Sequence, residues 1–458
     1  MNGFMSEQIK IISIIGGGLS GSLVALNLIR QATEPVHIKL IENSGKFGLG
    51  AAYSTDKDYH LLNVPAHKMG AYAGDVEDFY QWLDEHNFNY KRKSFVPRKI
   101  YGQYIQSLLK FHEENFNSPA VFERVTAEIV DIKPNEEGIL LQPKEGKLFY
   151  TDKVVIAVGN YAPASPSEEK LQNSLCYFAN PWNWDAKDRL NKEETIFIIG
   201  TGLTMVDMLL DLYYSGHKGK IIALSKHGYL PAEHKELEYH PNFDVELYKG
   251  RSIDHYLTVV REAIKKASYL GLTWHGVISS LRPLTQNLWM RLPKEDKERF
   301  LRHLNSLWSV VRHRMAPEVA SVVNELKEKG QLEILKGRIQ HIDTRANEVV
   351  VTYRPRHEKE IKTITVGSVI NCTGIHHDFS KIQHPLIQSL FKQELVRNDE
   401  LNIGLDVDMI GSLIDAKGET SKRFFAIGPP TKGVFWEITA VPEIRTQAAR
   451  LATKLLFR

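Results

Sequence analysis

Near the start of the chain, glycine, serine and an acid occur in a spacing that could seat a pyrophosphate. Gly16-Gly17-Gly18-Leu19-Ser20-Gly21 fits G-x-G-x-x-G directly after the apolar run Ile11-Ile12-Ser13-Ile14-Ile15, and Glu42 follows Gly21 by 21 residues. In such a turn Gly16 makes the bend, Gly18 lets the backbone approach the phosphates, and Gly21 lets a helix pack on the strand. Leu19 and Ser20 would open that helix, whose N-terminal N–H groups and positive dipole end favour an anion. Glu42, with Asn43 beside it, would accept hydrogen bonds from a ribose diol. A glycine turn can serve packing alone, but strand, spacing and acid together favour a bound dinucleotide.

The pattern returns 184 residues later. Gly200 and Gly202, followed by Leu203 and Thr204, stand at that offset from Gly16 and Gly18, and the same offset carries Glu42 onto Lys226. Replacing the acid by Lys226, with Ser225 and His227 on either side, removes repulsion from a 2′-phosphate and supplies a cation, which selects NADPH over NADH. An ordinary solvated pair is the plain alternative for Lys226 and His227. Met205 fills the place of the third glycine, so the helix should sit slightly further from the sheet.

These motifs need strands and helices to hold them. Apolar runs at 11–15, 36–42 and 154–159 read as buried parallel strands, the last ending in Gly159, and a helix should start at about Leu19. Segments 75–86 and 101–112 read as helices, and 121–149 as a β-meander. A second strand-turn-helix begins at 195, with its next strand at 220–224. Helical periodicity dominates 254–329, where Trp274, Trp289 and Trp308 read as core. Strands resume at 332–342, 348–353 and 368–373, the last leading into Gly374. The chain should close with a strand at 424–427 and a helix from about Trp436. The fold class is therefore α/β, two Rossmann-type dinucleotide-binding domains with a helical insert. The first domain is expected to be discontinuous, 1–190 and 335–458, around a second at 191–334.

Bulk properties narrow the function classes. A chain of 458 residues has room for two or three domains and a buried cofactor. Its formal net charge is +3 with the basic residues scattered, which argues against nucleic acid as a partner. Cys176 and Cys372 are the only cysteines, so no disulfide framework or C-x-x-C redox pair can be built, and a reducing, cytoplasmic setting is expected. The uncharged stretch 11–29 is broken by its glycines and reads as strand and turn, with no membrane partner implied. His234, His240 and His275 lack metal-ligand spacing, so no metal is expected. Arg312-His313-Arg314 reads as a solvated helical face, with a cofactor phosphate or anionic substrate as the alternative.

The chain resembles bacterial FAD/NAD(P)-binding proteins related to the class B flavin monooxygenases, which hydroxylate amines or perform Baeyer–Villiger oxidation. The resemblance rests on Gly16 to Gly21, on Gly48-Leu49-Gly50-Ala51-Ala52-Tyr53-Ser54 with His60-Leu61-Leu62-Asn63-Val64-Pro65-Ala66, and on Phe95-Val96-Pro97-Arg98 with Tyr101-Gly102-Gln103-Tyr104. It continues in Gly200 to Asp207 and in Ala426-Ile427-Gly428-Pro429 with Trp436-Glu437. It implies that the loop carrying Tyr53, Asn63 and Met69 lies along the flavin, that Arg98 approaches the ribityl or phosphate region, and that Val125 sits by the adenine. Gly159, Gly374 and Gly428 would turn beside a cofactor. Gly428-Pro429 departs from the family's Gly-Asp, and the Baeyer–Villiger fingerprint is only faintly echoed by Tyr177-Phe178-Ala179-Asn180-Pro181-Trp182.

The function implied is an FAD-dependent oxidoreductase reduced by NADPH, a single-component monooxygenase using molecular oxygen on a small-molecule substrate. Asn63 and Trp436 are its candidate flavin-side catalytic residues, against loop capping and core packing. Two other readings stand beside it: a reductase or dehydrogenase passing electrons to a quinone, imine or protein partner, and a nucleotide-binding interaction module without turnover.

Overall fold

The computed structural model describes residues 9–114, 118–161, 171, 174–182, 190–235, 241–345, 347–374 and 377–457. The chain divides into two compact units, 1–58 with 64–160 and 377–458, and 59–63 with 161–376.

The first unit is built on a six-stranded sheet. Its strand order is Ser412–Ile414, Thr420–Ala426, Lys153–Ile156, Lys10–Ile15, Val36–Glu42 and Ala120–Thr126. The strands are parallel except for the edge strand Ser412–Ile414, which runs antiparallel to Thr420–Ala426. Ile12, Ile14, Ile38, Leu40, Val154 and Val155 are buried, as expected for a sheet covered on both faces. Helix Leu19–Gln31 follows the first strand and packs on Val441–Leu456. Ten successive residues of it, from Ser20 to Ile29, are buried, so it is apolar nearly all round. Within it, Asn27 Nδ2 donates to Leu23 O at 2.7 Å, satisfying a buried amide. A separate antiparallel sheet comprises Ile129–Pro134, Ile139–Pro143 and Phe149–Thr151.

The second unit has a seven-stranded sheet in the order Lys362–Val366, Glu348–Pro355, Leu332–Arg345, Ile221–Ser225, Ile196–Ile199, Ser368–Asn371 and Tyr177–Phe178. The last five run parallel, and the hairpin 332–366 adds antiparallel strands at one edge. Helix Leu203–Tyr214 follows Ile196–Ile199, and helix Pro317–Glu328 packs on it. Between Ile221–Ser225 and Leu332–Arg345 the chain makes seven helices within 244–328, the expected helical insert. Trp289 is buried there, and Trp274 and Trp308 are half-buried in helices Trp274–Ser280 and Asn305–Arg312.

The structure differs from the sequence reading at three places. Strand Ala120–Thr126 pairs in parallel with Val36–Glu42 and belongs to the main sheet, so the meander begins only at Ile129. The last helix begins at Val441, five residues after Trp436, with Pro442 in its first turn. The division between the units falls at 160 and 376 instead of 190 and 335. Leu332 pairs with Ile221 and Ser368 with Ile196, so the strands at 332–371 extend the second sheet. Apolar alternation marks a strand without saying which sheet it joins.

Gly200 has φ +105°, and a Cβ on it would lie 2.3 Å from Cys372 O, whereas Gly146 has φ +97° with no atom within 4 Å of such a Cβ. Gly146→Ala should therefore cost only the backbone strain, about 1–2 kcal/mol, and Gly200→Ala distinctly more. Chemical denaturation of both variants checks the order.

Candidate functional site

The two units present the same turn. Gly16 has φ +108°, and a Cβ there would stand 2.3 Å from Ala157 O, the same distance at which a Cβ on Gly200 would stand from Cys372 O. Gly16 N donates to Ile41 O and Gly200 N to Leu224 O, both at 2.8 Å. Ala157 N donates to Ile15 O, and Cys372 N to Ile199 O, again at 2.8 Å. Beyond these strand ends Gly159 (φ +68°) and Gly374 (φ +99°) face open space.

In the first unit the turn makes a cradle that a side chain would fill. Gly18 is the N-cap of helix Leu19–Gln31, no side chain caps it, and the first turn holds no acid. A Cβ on Gly18 would lie 3.3 Å from Gly50 Cα, and one on Gly21 would lie 2.0 Å from Gly16 O. Gly48 N donates to Gly17 O at 2.7 Å, which brings the 48–53 loop over the turn. Gly428, at φ +73°, closes the other side, where a Cβ would meet Ser20 Oγ at 2.4 Å. Its N–H is held by Gln447 Oε1 at 2.9 Å. Glu42 ends its strand with Oε2 accepting from Gly17 N at 2.9 Å and Oε1 from Ser44 N and Oγ at 3.1 and 2.7 Å. Asn43 is exposed beside it, and Val125 pairs with Ile41 on the adjoining strand. The glycine cradle and the uncapped helix end fit a pyrophosphate, and Glu42 retains lone pairs for a ribose hydroxyl.

Other candidates sit further along. Tyr53 is buried against Tyr101, ring centroids 4.8 Å apart, and burial pushes its hydroxyl pKa well up while Arg98 opposes this. Arg98 opens helix Arg98–Glu114, and Met69 is buried after the short helix Ala66–Lys68. Trp436 is buried, with Lys432 Nζ 5.2 Å from its ring centroid. Burial pulls Lys432 down to about 8, with Glu437 acting against it. Asn63 is exposed and falls in the segment 59–63, which belongs to the second unit. That segment is anchored by His60 of the quoted motif and by Tyr59 and Asp211, which the sequence did not announce. Tyr59 OH donates to Asp211 Oδ1 at 2.8 Å, His60 Nε2 lies 3.4 Å from Asp211 Oδ2, and Tyr59 stacks on Tyr214.

The second unit corrects the register by one residue. Ile15 pairs with Ile41, whereas Ile199 pairs with Leu224, so the counterpart of Glu42 is Ser225 and Lys226 answers to Asn43. Ser225 Oγ lies 2.8 Å from Thr201 Oγ1 and accepts from Gly228 N at 3.0 Å. Gly202 caps helix Leu203–Tyr214, which like its counterpart has no side-chain cap and no acid in its first turn, and Thr204 lies within that turn. The third-glycine position, Met205, is fully buried.

Lys226 and His227 line a cavity of about 220 Å³ together with Arg338, Arg354 and Arg356, with Glu358 as its acid. Arg338 and Arg354 are direct cross-strand partners, a like-charge placement that destabilises a sheet unless an anion joins it. Arg356 donates to His227 Nδ1 at 2.6 Å, and the His227 ring stacks on Tyr229. Burial, then Arg356, Lys226 and Arg338, hold the His227 pKa below 6.5. The three arginines were missed because only the hairpin pairing of 332–345 with 348–355 brings them together.

Residues 13–161 match the family model described as FAD-NAD(P)-binding. The chain carries an FAD-NAD(P)-binding domain. No curated protein sequence matches it. Among solved structures it is similar to the ornithine N-hydroxylase of Kutzneria sp. 744 in its reduced-FAD, NADP+ and L-ornithine complex, at TM-score 0.66 and 12% identity over 98% of this chain and 99% of that one. L-lysine 6-monooxygenase of Pseudomonas syringae gives 0.65 and 14% over 98% and 99%. Thioredoxin reductase of T. acidophilum gives 0.51 and 13% over 97% of each chain. At such identities the likeness establishes the two-domain dinucleotide-binding fold. Among the described residues no helix is long and apolar enough to cross a membrane.

A histidine held below its ordinary pKa by neighbouring cations should respond to an anion seated among them. Protonation of His227 opposes the fold, so its contribution to stability is full above pH 6.5 and is lost as pH falls through the depressed value. Adding 2′,5′-ADP should move its titration upward, as read from histidine ring shifts by NMR. An unmoved resonance at saturating ligand means the cluster does not hold a phosphate.

Proposed function

We propose that the protein is an FAD-dependent oxidoreductase reduced by NADPH, and that it acts as a monooxygenase on a small molecule with molecular oxygen. The observation that carries this reading is the opposite charge at two otherwise matching sites. Glu42 closes the second strand of the first unit, and a neutral Ser225 followed by Lys226 and three arginines closes that of the second. A carboxylate suits the ribose diol of FAD, and a cation cluster suits the 2′-phosphate of NADPH. The matched model for residues 13–161 supports FAD in the first unit. The ornithine and lysine enzymes named above support monooxygenation, with the substrate left open.

In this reading the chain's own groups bind and orient. Gly16, Gly18 and Gly21 let the backbone approach the FAD pyrophosphate, Leu19 and Ser20 offer helix N–H groups, and Gly428 keeps the approach to Ser20 clear. Tyr53, Met69, Arg98, Val125 and Gly159 belong to the same unit's cofactor surface. Gly200, Gly202, Leu203, Thr204 and Gly374 do the equivalent for NADPH, with Lys226 and His227 at its 2′-phosphate. Asn63 and Trp436 are assigned to the flavin side. The bound cofactor supplies the redox chemistry, and the protein supplies position and exclusion of water.

Anaerobic mixing with NADPH tests the reading directly: a yellow protein should bleach, and on admitting oxygen should consume it in step with a hydroxylated product. Bleaching with release of hydrogen peroxide alone, whatever the amine or acid supplied, would mark a reductase, and a colourless protein that binds neither nucleotide would mark an interaction module. Gly18→Val should purify without flavin, because the branched side chain enters the cradle between helix start and Gly50. A stoichiometric absorbance near 450 nm in that variant would count against the site, that wavelength being roughly where any bound flavin absorbs. Lys226→Glu should raise the KM for NADPH roughly ten- to a hundred-fold and that for NADH little. The difference should shrink at high salt, since exposed charges are screened.

A further inference from the structure

Helix Pro317–Glu328 crosses back into strand Leu332–Arg345 of the second unit, so its N-terminal approach lies where the preceding parallel strands end. Doubly wound sheets bind ligands at that edge. Arg314 stands three residues ahead of the helix. Met315 N donates to Ala232 O and His234 N to Met315 O, both at 2.8 Å, which fixes this stretch against the chain leading from Lys226.

The run Arg312-His313-Arg314 is not the solvated face its polarity suggests, since Arg314 is 5% exposed. Its Nε donates to Val311 O at 2.8 Å and its Nη2 to His275 O at 3.0 Å, and its guanidinium lies 5.2 Å from the Trp274 ring centroid. Both acceptors are neutral carbonyls. Among the described residues no carboxylate pairs with it, and Nη1 has no acceptor. Among the described residues, the groups that act on Arg314 and His275 are Arg312, His234 and Lys235, and Glu233 meets His275 through its backbone carbonyl. Burial and Arg312 pull Arg314 only to about 10, so it is charged at neutral pH, while burial, then Arg314, hold His275 at about 4 and neutral. A buried charge without a counter-charge is costly, and a guanidinium with unused donors offers two parallel hydrogen bonds to a planar anion.

We propose that Arg314 anchors a carboxylate-binding site on the second unit, with Trp274 as its flat wall and a small organic carboxylate as its ligand. Arg314 is the buried cation of this pocket, Arg312 being half-buried and Lys235 exposed, and one monoanion pairs with it, in contrast to the four-cation cluster at Lys226. Under the oxidoreductase reading this ligand is the substrate or a part of it. The binding test needs no turnover, so failure of that reading and failure of this site show separately.

Isothermal titration of the full chain with acetate, benzoate and glutarate, with benzamide and inorganic phosphate as comparisons, tests the site. At least one carboxylate should bind saturably and benzamide should not. Arg314→Lys should weaken that binding about ten-fold or more while leaving 2′,5′-ADP binding intact, which also reports that the unit is folded. Lys226→Glu should do the reverse. Phenylglyoxal labelling of wild-type protein, mapped by mass spectrometry, gives an answer that does not depend on a variant folding: the binding carboxylate should protect Arg314. The proposal fails if no carboxylate binds, if phosphate outcompetes them all, if Arg314→Lys binds as wild type, if Lys226→Glu abolishes the carboxylate's binding, or if Arg314 is not protected.

Discussion

The close passage of a glycine beneath a neighbouring strand's last carbonyl organises both halves of the molecule. Gly16 under Ala157 O and Gly200 under Cys372 O leave no room for a Cβ, and both residues have φ above +100°. Only there can the chain leave the first strand, turn, and start a helix whose N-terminus faces the end of the sheet. The carbonyl-bearing strands must in turn move aside at once, and Gly159 and Gly374 do so with positive φ. Cofactor approach, helix position and strand exit thus follow from one steric condition met twice.

The same frame is given opposite electrostatics. Glu42 takes a backbone N–H of its own turn, so the first unit carries a fixed, partly satisfied negative group at the strand end. The second replaces it by Ser225, whose hydroxyl is engaged by Thr201 and Gly228, and gathers cations instead. Setting Arg338 opposite Arg354 costs the free protein stability, as like charges across a sheet do, and an anionic ligand offsets that cost.

Much of this was legible in the residues. The glycine turns, the apolar strands beside them, the second strand at Val36–Glu42 and the helical insert all follow from local pattern, because each depends on neighbours within a few positions. The offset of 184 held at the glycines and at Ile199, then slipped by one at the next strand, because the path from first to second strand is one residue shorter in the second unit. Glycine spacing carries no report of that length. Arg338, Arg354 and Arg356 were illegible for a stronger reason: their meeting depends on a hairpin register with an irregularity between Ile339 and His341. Arg314 misled because polarity predicts exposure, and only tertiary packing against Trp274 and His275 buries it.

The discontinuity of the first unit has a consequence for how the chain is made. Strand Lys153–Ile156 receives its outer neighbour from Thr420–Ala426, and helix Leu19–Gln31 is covered by Val441–Leu456. On the ribosome, the whole of 161–376 emerges before either partner exists. The second unit can therefore close while the first still presents an unpaired strand edge and a bare apolar helix face, the two features that attract chaperones and promote aggregation. Premature termination anywhere after residue 376 and before residue 420 leaves a folded passenger held on an unfinished host, a distinctive substrate for quality-control proteases.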